Sequence, residues 1–125
     1  MKIFENEHYE VFAHTGAGYE PTMHYGAWRV ALLNYTDKFD HITYLERHMQ
    51  TDEVFVLLAG KAKLILGLEK QEVTLEPQRI YNVRRGAWHA IKTSPDAQVL
   101  IVENDDTCRE TNEYTYFDAP LQITL

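Results

Sequence analysis

The chain reads as all-β, a barrel or sandwich with little helix. Strand-length apolar runs recur at close spacing, Gly, Pro, Asn and Asp punctuate them, and no stretch sustains a helical period. Each run is too short to be a helix of ordinary length, and several alternate apolar with polar residues, as half-buried strands do.

Taken in order, residues 28–35 (Trp-Arg-Val-Ala-Leu-Leu-Asn-Tyr) form an early strand bounded by Gly26 and Thr36-Asp37-Lys38. Residues 42–49, 53–59 and 61–67 give three more, with Ala59-Gly60 short enough for a hairpin turn between the last two. Residues 72–75 alternate, Glu76-Pro77-Gln78 turns, and residues 79–83 and 89–93 flank a loop at Gly86. Ser94-Pro95-Asp96 then leads into residues 98–103. The first 25 residues carry little pattern, residues 14–21 look like loop, and segment 1–27 is expected to act as an arm or cover; the tail from Asp105 is mostly polar until Phe117.

At 125 residues there is room for one domain, 1–125, large enough to bury about two-thirds of the surface an unfolded chain exposes. Twelve Lys and Arg against nineteen Asp and Glu give a net charge of −7, which repels phosphate backbones and anionic lipid, so neither nucleic acid nor a membrane is an expected partner. The single cysteine, Cys108, allows no internal disulfide and no sulfur-rich metal site. Met1-Lys2-Ile3-Phe4-Glu5 turns acidic at once without the apolar core of a secretory signal, and no run approaches membrane-spanning length, so the expected location is cytoplasmic.

The chemistry concentrates in two segments. Glu46, His48 and Glu53 lie in Glu46-Arg47-His48-Met49-Gln50-Thr51-Asp52-Glu53, and His89 follows Gly86-Ala87-Trp88. Alternation on one strand points Glu46 and His48 the same way, and Glu53 opens the next strand after a short turn. A turn at Arg85-Gly86 lets a later hairpin bring His89 to the same place. Two imidazoles and two carboxylates suit one divalent ion such as Mn, Fe, Ni or Zn. Glu46 has a second reading, as the ion-pair partner of Arg29, Arg47 or Arg84 beside a metal-free pocket.

These residues resemble the motifs of the cupin superfamily. The first family motif, G-x5-H-x-H-x(3,4)-E-x6-G, is matched in its second half by His48, Glu53 and Gly60; the second, G-x5-P-x-G-x2-H-x3-N, is matched by Gly86 and His89. Glu46 stands where the first motif has His, Asp40 and Gln78 where the motifs open on Gly, Arg84 for the Pro and Thr93 for the Asn. The resemblance covers about residues 40–105. It implies a cupin-like jelly-roll barrel, a double-stranded β-helix, with one metal at its centre, and by family habit a homodimer. No particular reaction follows, since cupins include dioxygenases, isomerases, lyases and sugar-sensing domains.

Around the site, Tyr44 should share the inward face of Glu46, and Phe55 and Leu57 that of Glu53, where core packing is their expected role. Tyr44, Arg29 and Tyr81 are candidates for substrate contact, with Trp28 and Trp88 at the pocket mouth. Arg84 and Arg85 are expected in solvent, and His8, His14, His24 and His41 at the surface. Ser94 is the only serine and sits in a turn, which argues against a Ser-His-Asp hydrolase. The expected function is that of a metal-dependent enzyme acting on a small polar metabolite, of isomerase, lyase or dioxygenase type. The alternative is a non-catalytic domain that binds or senses a small ligand. Tyr9, Phe12, Tyr19 and Tyr25 add an aromatic N-terminal surface suited to a second subunit, or to closing the barrel's own end.

Overall fold

A computed structural model describes residues 1–125, with twelve β-strands, one 3-10 turn (Asp37–Phe39) and no α-helix. Strands β1 (Lys2–Glu5) and β2 (Glu10–Phe12) pair as an N-terminal hairpin. The remaining strands are β3 (Gly18–Tyr25), β4 (Trp28–Asn34), β5 (Tyr44–His48), β6 (Glu53–Ala59), β7 (Ala62–Leu66), β8 (Gln71–Thr74), β9 (Tyr81–Val83), β10 (His89–Thr93), β11 (Gln98–Asn104) and β12 (Asn112–Tyr116). They build two five-stranded antiparallel sheets, ordered β12-β5-β10-β7-β8 and β3-β4-β11-β6-β9. From β4 onward the chain passes repeatedly between the sheets, the jelly-roll arrangement.

The inward residues of both sheets make one core. Phe55 and Leu57 of β6 and Val99 and Ile101 of β11 meet Leu64 of β7 and Ile91 of β10, each no more than 8% exposed. Strand alternation accounts for the choice: in β11 the odd-numbered Val99, Ile101 and Glu103 are buried, while Leu100 and Val102 face outward and are only partly covered. The apolar packing ends at Phe55 and Ile101, and beyond it the inward residues are polar. That change of chemistry places the site.

Gly60 turns β6 into β7 at φ +70°, where a Cβ would stand 2.6 Å from Ala97 Cα, so only glycine fits the turn and its close neighbour. The outer face of the β5-β10-β7 sheet is closed by the chain's own C-terminal segment. Phe117, Leu121 and Ile123 pack on Ile42, Leu45 and Ile65, and backbone bonds from Phe117 N–H to Thr43 O (2.8 Å) and Leu121 N–H to Ile42 O (2.9 Å) pin the strap.

Several elements differ from the sequence expectation. Residues 14–21, read as loop, contain the start of β3, and the unassigned stretch before them forms β1 and β2. β3 is an edge strand with a bulge between Pro21 and Met23; an edge tolerates the missing proline N–H, and the bulge breaks the alternation that a sequence reading looks for. β12 was hidden in the polar tail because its inward residues Asn112 and Tyr114 face a polar cavity instead of an apolar core. Trp88 is not at a pocket mouth; it packs on the strap side, with the Arg47 guanidinium 4.5 Å above its ring. Trp28 lies at the β3–β4 turn, 43% exposed, outside the cavity lining.

Candidate metal centre

Four polar side chains are almost wholly buried at the end of the core: His48 (5% exposed), Glu53 (6%), His89 (3%) and Glu103 (5%). β5 supplies His48 with Glu46 two residues before it, β6 opens on Glu53, β10 opens on His89, and β11 brings Glu103. The Gly86 loop is fastened to this place by Gly86 N–H donating to His48 O (2.8 Å) and Arg85 N–H donating to Asp52 Oδ1 (2.8 Å). His89 therefore stands opposite Glu46 in the β10–β5 register.

Hydrogen bonding sets the orientation of both imidazoles. His89 Nδ1 faces Ala87 O at 3.0 Å, and a carbonyl only accepts, so Nδ1 carries the proton. His48 Nδ1 faces Asn112 Oδ1 at 2.7 Å and does the same. In the neutral rings both Nε2 atoms are then lone pairs, and both point at one carboxylate oxygen: Glu53 Oε1 lies 2.9 Å from each. Three acceptors converging on one place need positive charge between them, supplied either by two protons or by a cation.

With protons there, the charges support one another. Burial works against the charged rings, yet the hydrogen bond and charge of Glu53 outweigh it, raising His48 to about 9 and His89 in the same direction. Burial likewise works against ionised Glu53, but the two histidines hold it below the usual carboxylate range. Glu103 is pushed up by burial and then by the Glu53 charge.

The donor set also fits a divalent ion. Neighbouring ligands at about 2.1 Å from one octahedral ion stand about 3 Å apart, close to the 2.9 Å spacing found here. Ring N–H groups held by a carbonyl and an amide oxygen are the arrangement metal-binding histidines use. Glu46, His48 and His89 present ligand atoms within 4.8 Å of one another, and so do His48, Glu53 and Glu103. One buried carboxylate oxygen, Glu103 Oε2, has no hydrogen-bond partner in the protein.

The sequence-derived ligands Glu46, His48, Glu53 and His89 thus come together. Glu46 pairs with none of the arginines weighed for it, since Arg29 is held by Glu103 and Arg47 by Glu113. Arg29 reaches the site through that pairing: Nη2 donates to Glu103 Oε1 at 2.8 Å and Nη1 to Asp105 O at 3.1 Å. Tyr44 lines the cavity, edge-on to Tyr114 at 5.7 Å between ring centroids. Tyr81 does not; it packs against the apolar core, and its hydroxyl accepts from Glu76 N–H at 3.0 Å. His14, expected at the surface, has only 7% of its side chain exposed, with Nε2 donating to Gly18 O at 2.8 Å.

The cavity above the site has a volume of about 510 Å3. Its wall includes Tyr19, Tyr44 and Tyr114, and Lys38, Cys108 and Arg109 lie at the exposed rim. Lys38 Nζ stands 5.7 Å from the Tyr44 ring centre and the Arg109 guanidinium 5.4 Å from that of Tyr114. Sequence reasoning missed Glu103, Tyr19, Asn112 and this rim. No sequence signal marked Glu103, because β11 is apolar on both faces and alternation assigns it no phase.

Two five-stranded antiparallel sheets, threaded alternately and closed around a His/Glu cluster at one end of the core, have close counterparts among solved structures. A cupin-2 domain protein from Shewanella frigidimarina superposes with a TM-score of 0.58 at 17% identity, covering 74% of this chain and 84% of that one. The chain has the cupin fold. KdgF from a Halomonas species (TM-score 0.56, 14% identity, 83% and 94% covered) and the Streptomyces nucleoside dehydratase Pac13 (0.61, 8%, 88% and 92%) share it. At such identities the likeness is one of fold. No family model and no curated protein matches the sequence. Within this cupin fold, no helix is long and apolar enough to cross a membrane.

Proposed function

We propose that this cupin is a metal-dependent enzyme of lyase or isomerase type, acting on a small polar metabolite that carries an acid group. The observation that carries the reading is the convergence of His48 Nε2 and His89 Nε2 on Glu53 Oε1, 2.9 Å from each, at the floor of a cavity large enough for a metabolite. His48, Glu53 and His89 would hold the ion, with a further carboxylate from Glu46 or Glu103. A bound divalent cation supplies Lewis-acid polarisation of a carbonyl or hydroxyl oxygen.

The chain's own residues support the rest. Glu46 is half-buried on the cavity wall and free of any arginine, suited to taking a proton from carbon beside a polarised carbonyl. Tyr44 and Tyr114 offer flat walls for a small carbon skeleton, and their hydroxyls suit its oxygens. Lys38 and Arg109, at the rim over those rings, favour a carboxylate or phosphate there. Elimination chemistry has a precedent on this fold in Pac13, a nucleoside dehydratase, although fold alone assigns no substrate.

A panel of small hydroxy acids, keto acids and sugar acids, each beside its neutral analogue, tests the reading. Turnover should vanish on chelation, return with a divalent ion, and favour the acids. Turnover unaffected by chelation, or none with any member in the presence of Mn, Fe, Ni or Zn, contradicts it.

A further inference from the structure

We infer that Glu103, rather than Glu46, is the fourth protein ligand of the metal, which leaves Glu46 as the free carboxylate facing the substrate; this rests on the metal reading above. Glu103 lies on β11, outside both segments in which the sequence places ligands. Its side chain is 97% buried (3% exposed), and its two oxygens are differently occupied. Oε1 accepts from Tyr19 Oη at 2.5 Å and from Arg29 Nη2 at 2.8 Å. Oε2 has no partner and stands 3.8 Å from His48 Nε2, in the set that also includes Glu53.

An ionised oxygen taken from water and left without a donor is unfavourable unless a proton or a cation satisfies it. Here the fixed oxygen shows why the free one points where it does: Tyr19 and Arg29 together hold the carboxylate by one end and aim the other at the histidines. Arg29 is in turn held by Asp105 O at 3.1 Å, so the bracket is itself supported.

The presence of an outer partner separates Glu46 from His48, His89 and Glu103. His48 is held from behind by Asn112, His89 by Ala87 O, and Glu103 by Tyr19 and Arg29. Metal ligands characteristically have such outer partners, which fix the ligand atom in place. Glu46 has no outer partner, is less buried, and sits across the sheet from Tyr114 on the cavity wall. An unanchored carboxylate on a cavity wall is suited to collecting a proton. One that is clamped and dry is suited to holding a cation.

The test uses the whole purified chain, stripped of metal and titrated with Mn2+, with free Mn2+ counted by its paramagnetic resonance signal. Glu103→Gln should weaken binding by about tenfold to a hundredfold, the range seen when a ligand or its support is lost. Glu46→Gln should leave affinity within about threefold of the parent, a small difference on that scale, while abolishing turnover. Parent protein that binds no Mn2+ defeats the metal reading, and this inference with it. Parent protein that binds while Glu103→Gln binds equally well, or a loss confined to Glu46→Gln, overturns the ligand assignment alone. If Glu103→Gln does not fold by circular dichroism, Tyr19→Phe decides, because it keeps the carboxylate and removes one side of its clamp. A severalfold weaker Mn2+ affinity supports the assignment, and an unchanged one overturns it.

Discussion

His89 Nε2 and Glu53 Oε1 meet at 2.9 Å across 36 residues of sequence. The contact depends on β6 and β10 opening at the same end of the barrel, and on the Gly86 loop being tied to the end of β5. The sequence predicts hairpins here, but β5 and β10 belong to one sheet and β6 to the other, so the two histidines meet Glu53 across the barrel interior, at a point both dry and lined with acceptors.

The two histidines should be unequal to Glu46 as ligands. His48→Ala and His89→Ala should each lower metal affinity by at least about tenfold, whereas Glu46→Ala should lower it less. Calorimetric titration of the three variants ranks them, and a Glu46→Ala loss as large as either histidine loss goes against the expectation.

Metal affinity and metal-free stability should respond oppositely to pH. The folded-state value of His48 is raised from 6.5 to about 9 by Glu53, against the opposing effect of burial. A raised value adds stability that is fully present below 6.5 and is lost as pH rises through about 9. Over the same window protons leave Nε2, so metal binding should tighten. Thermal unfolding of stripped protein and Mn2+ titration, both followed between those pH values, check the two slopes; parallel slopes would contradict the account.

How far the sequence disclosed this site depends on where each partner lies along the chain. His48 and Glu53 are five residues apart, so strand alternation and one turn suffice to bring them together. Glu103 and its partner Arg29 are separated by 74 residues. β11 is apolar on both faces, with Val99 and Ile101 inward and Leu100 and Val102 outward, so alternation gives no phase; Asn104-Asp105-Asp106 then reads as a turn into solvent. Tyr81 failed as a pocket candidate for a related reason. β9 is three residues long at a sheet edge, and nothing in so short a run says which end of the barrel it serves.

Gly60→Val should destabilise the protein by about 1–3 kcal/mol, because φ +70° disfavours a side chain and its Cβ would overlap the Ala97 backbone at 2.6 Å. Denaturant melts measure this. Metal affinity at the opposite end of β6 should change little; an unaltered midpoint would show that the turn accommodates a side chain.

The chain should form a homodimer, through a surface other than the N-terminal aromatics that first suggest one. On the outer face of the β4-β11-β6 sheet, Leu32, Leu100 and Val56 form one cross-strand row and Val30, Val102 and Val54 another; neither belongs to a core cluster or is covered by the C-terminal strap. Such a contiguous apolar face suits a second sheet. Light scattering should give twice the chain mass for the parent and a monomer for Leu100→Lys, and a monomeric parent at roughly tens of micromolar would go against it.

The most direct test of the central claim is elemental analysis of protein purified without an affinity tag, read together with thermal unfolding after addition of Mn, Fe, Co, Ni or Zn. The account predicts about one divalent ion per chain, removed by chelator and restored with a rise in unfolding temperature that His48→Ala abolishes. Protein that is empty as purified, and whose unfolding temperature no ion in the series shifts, would show that two protons, and not a metal, occupy the space between His48, His89 and Glu53.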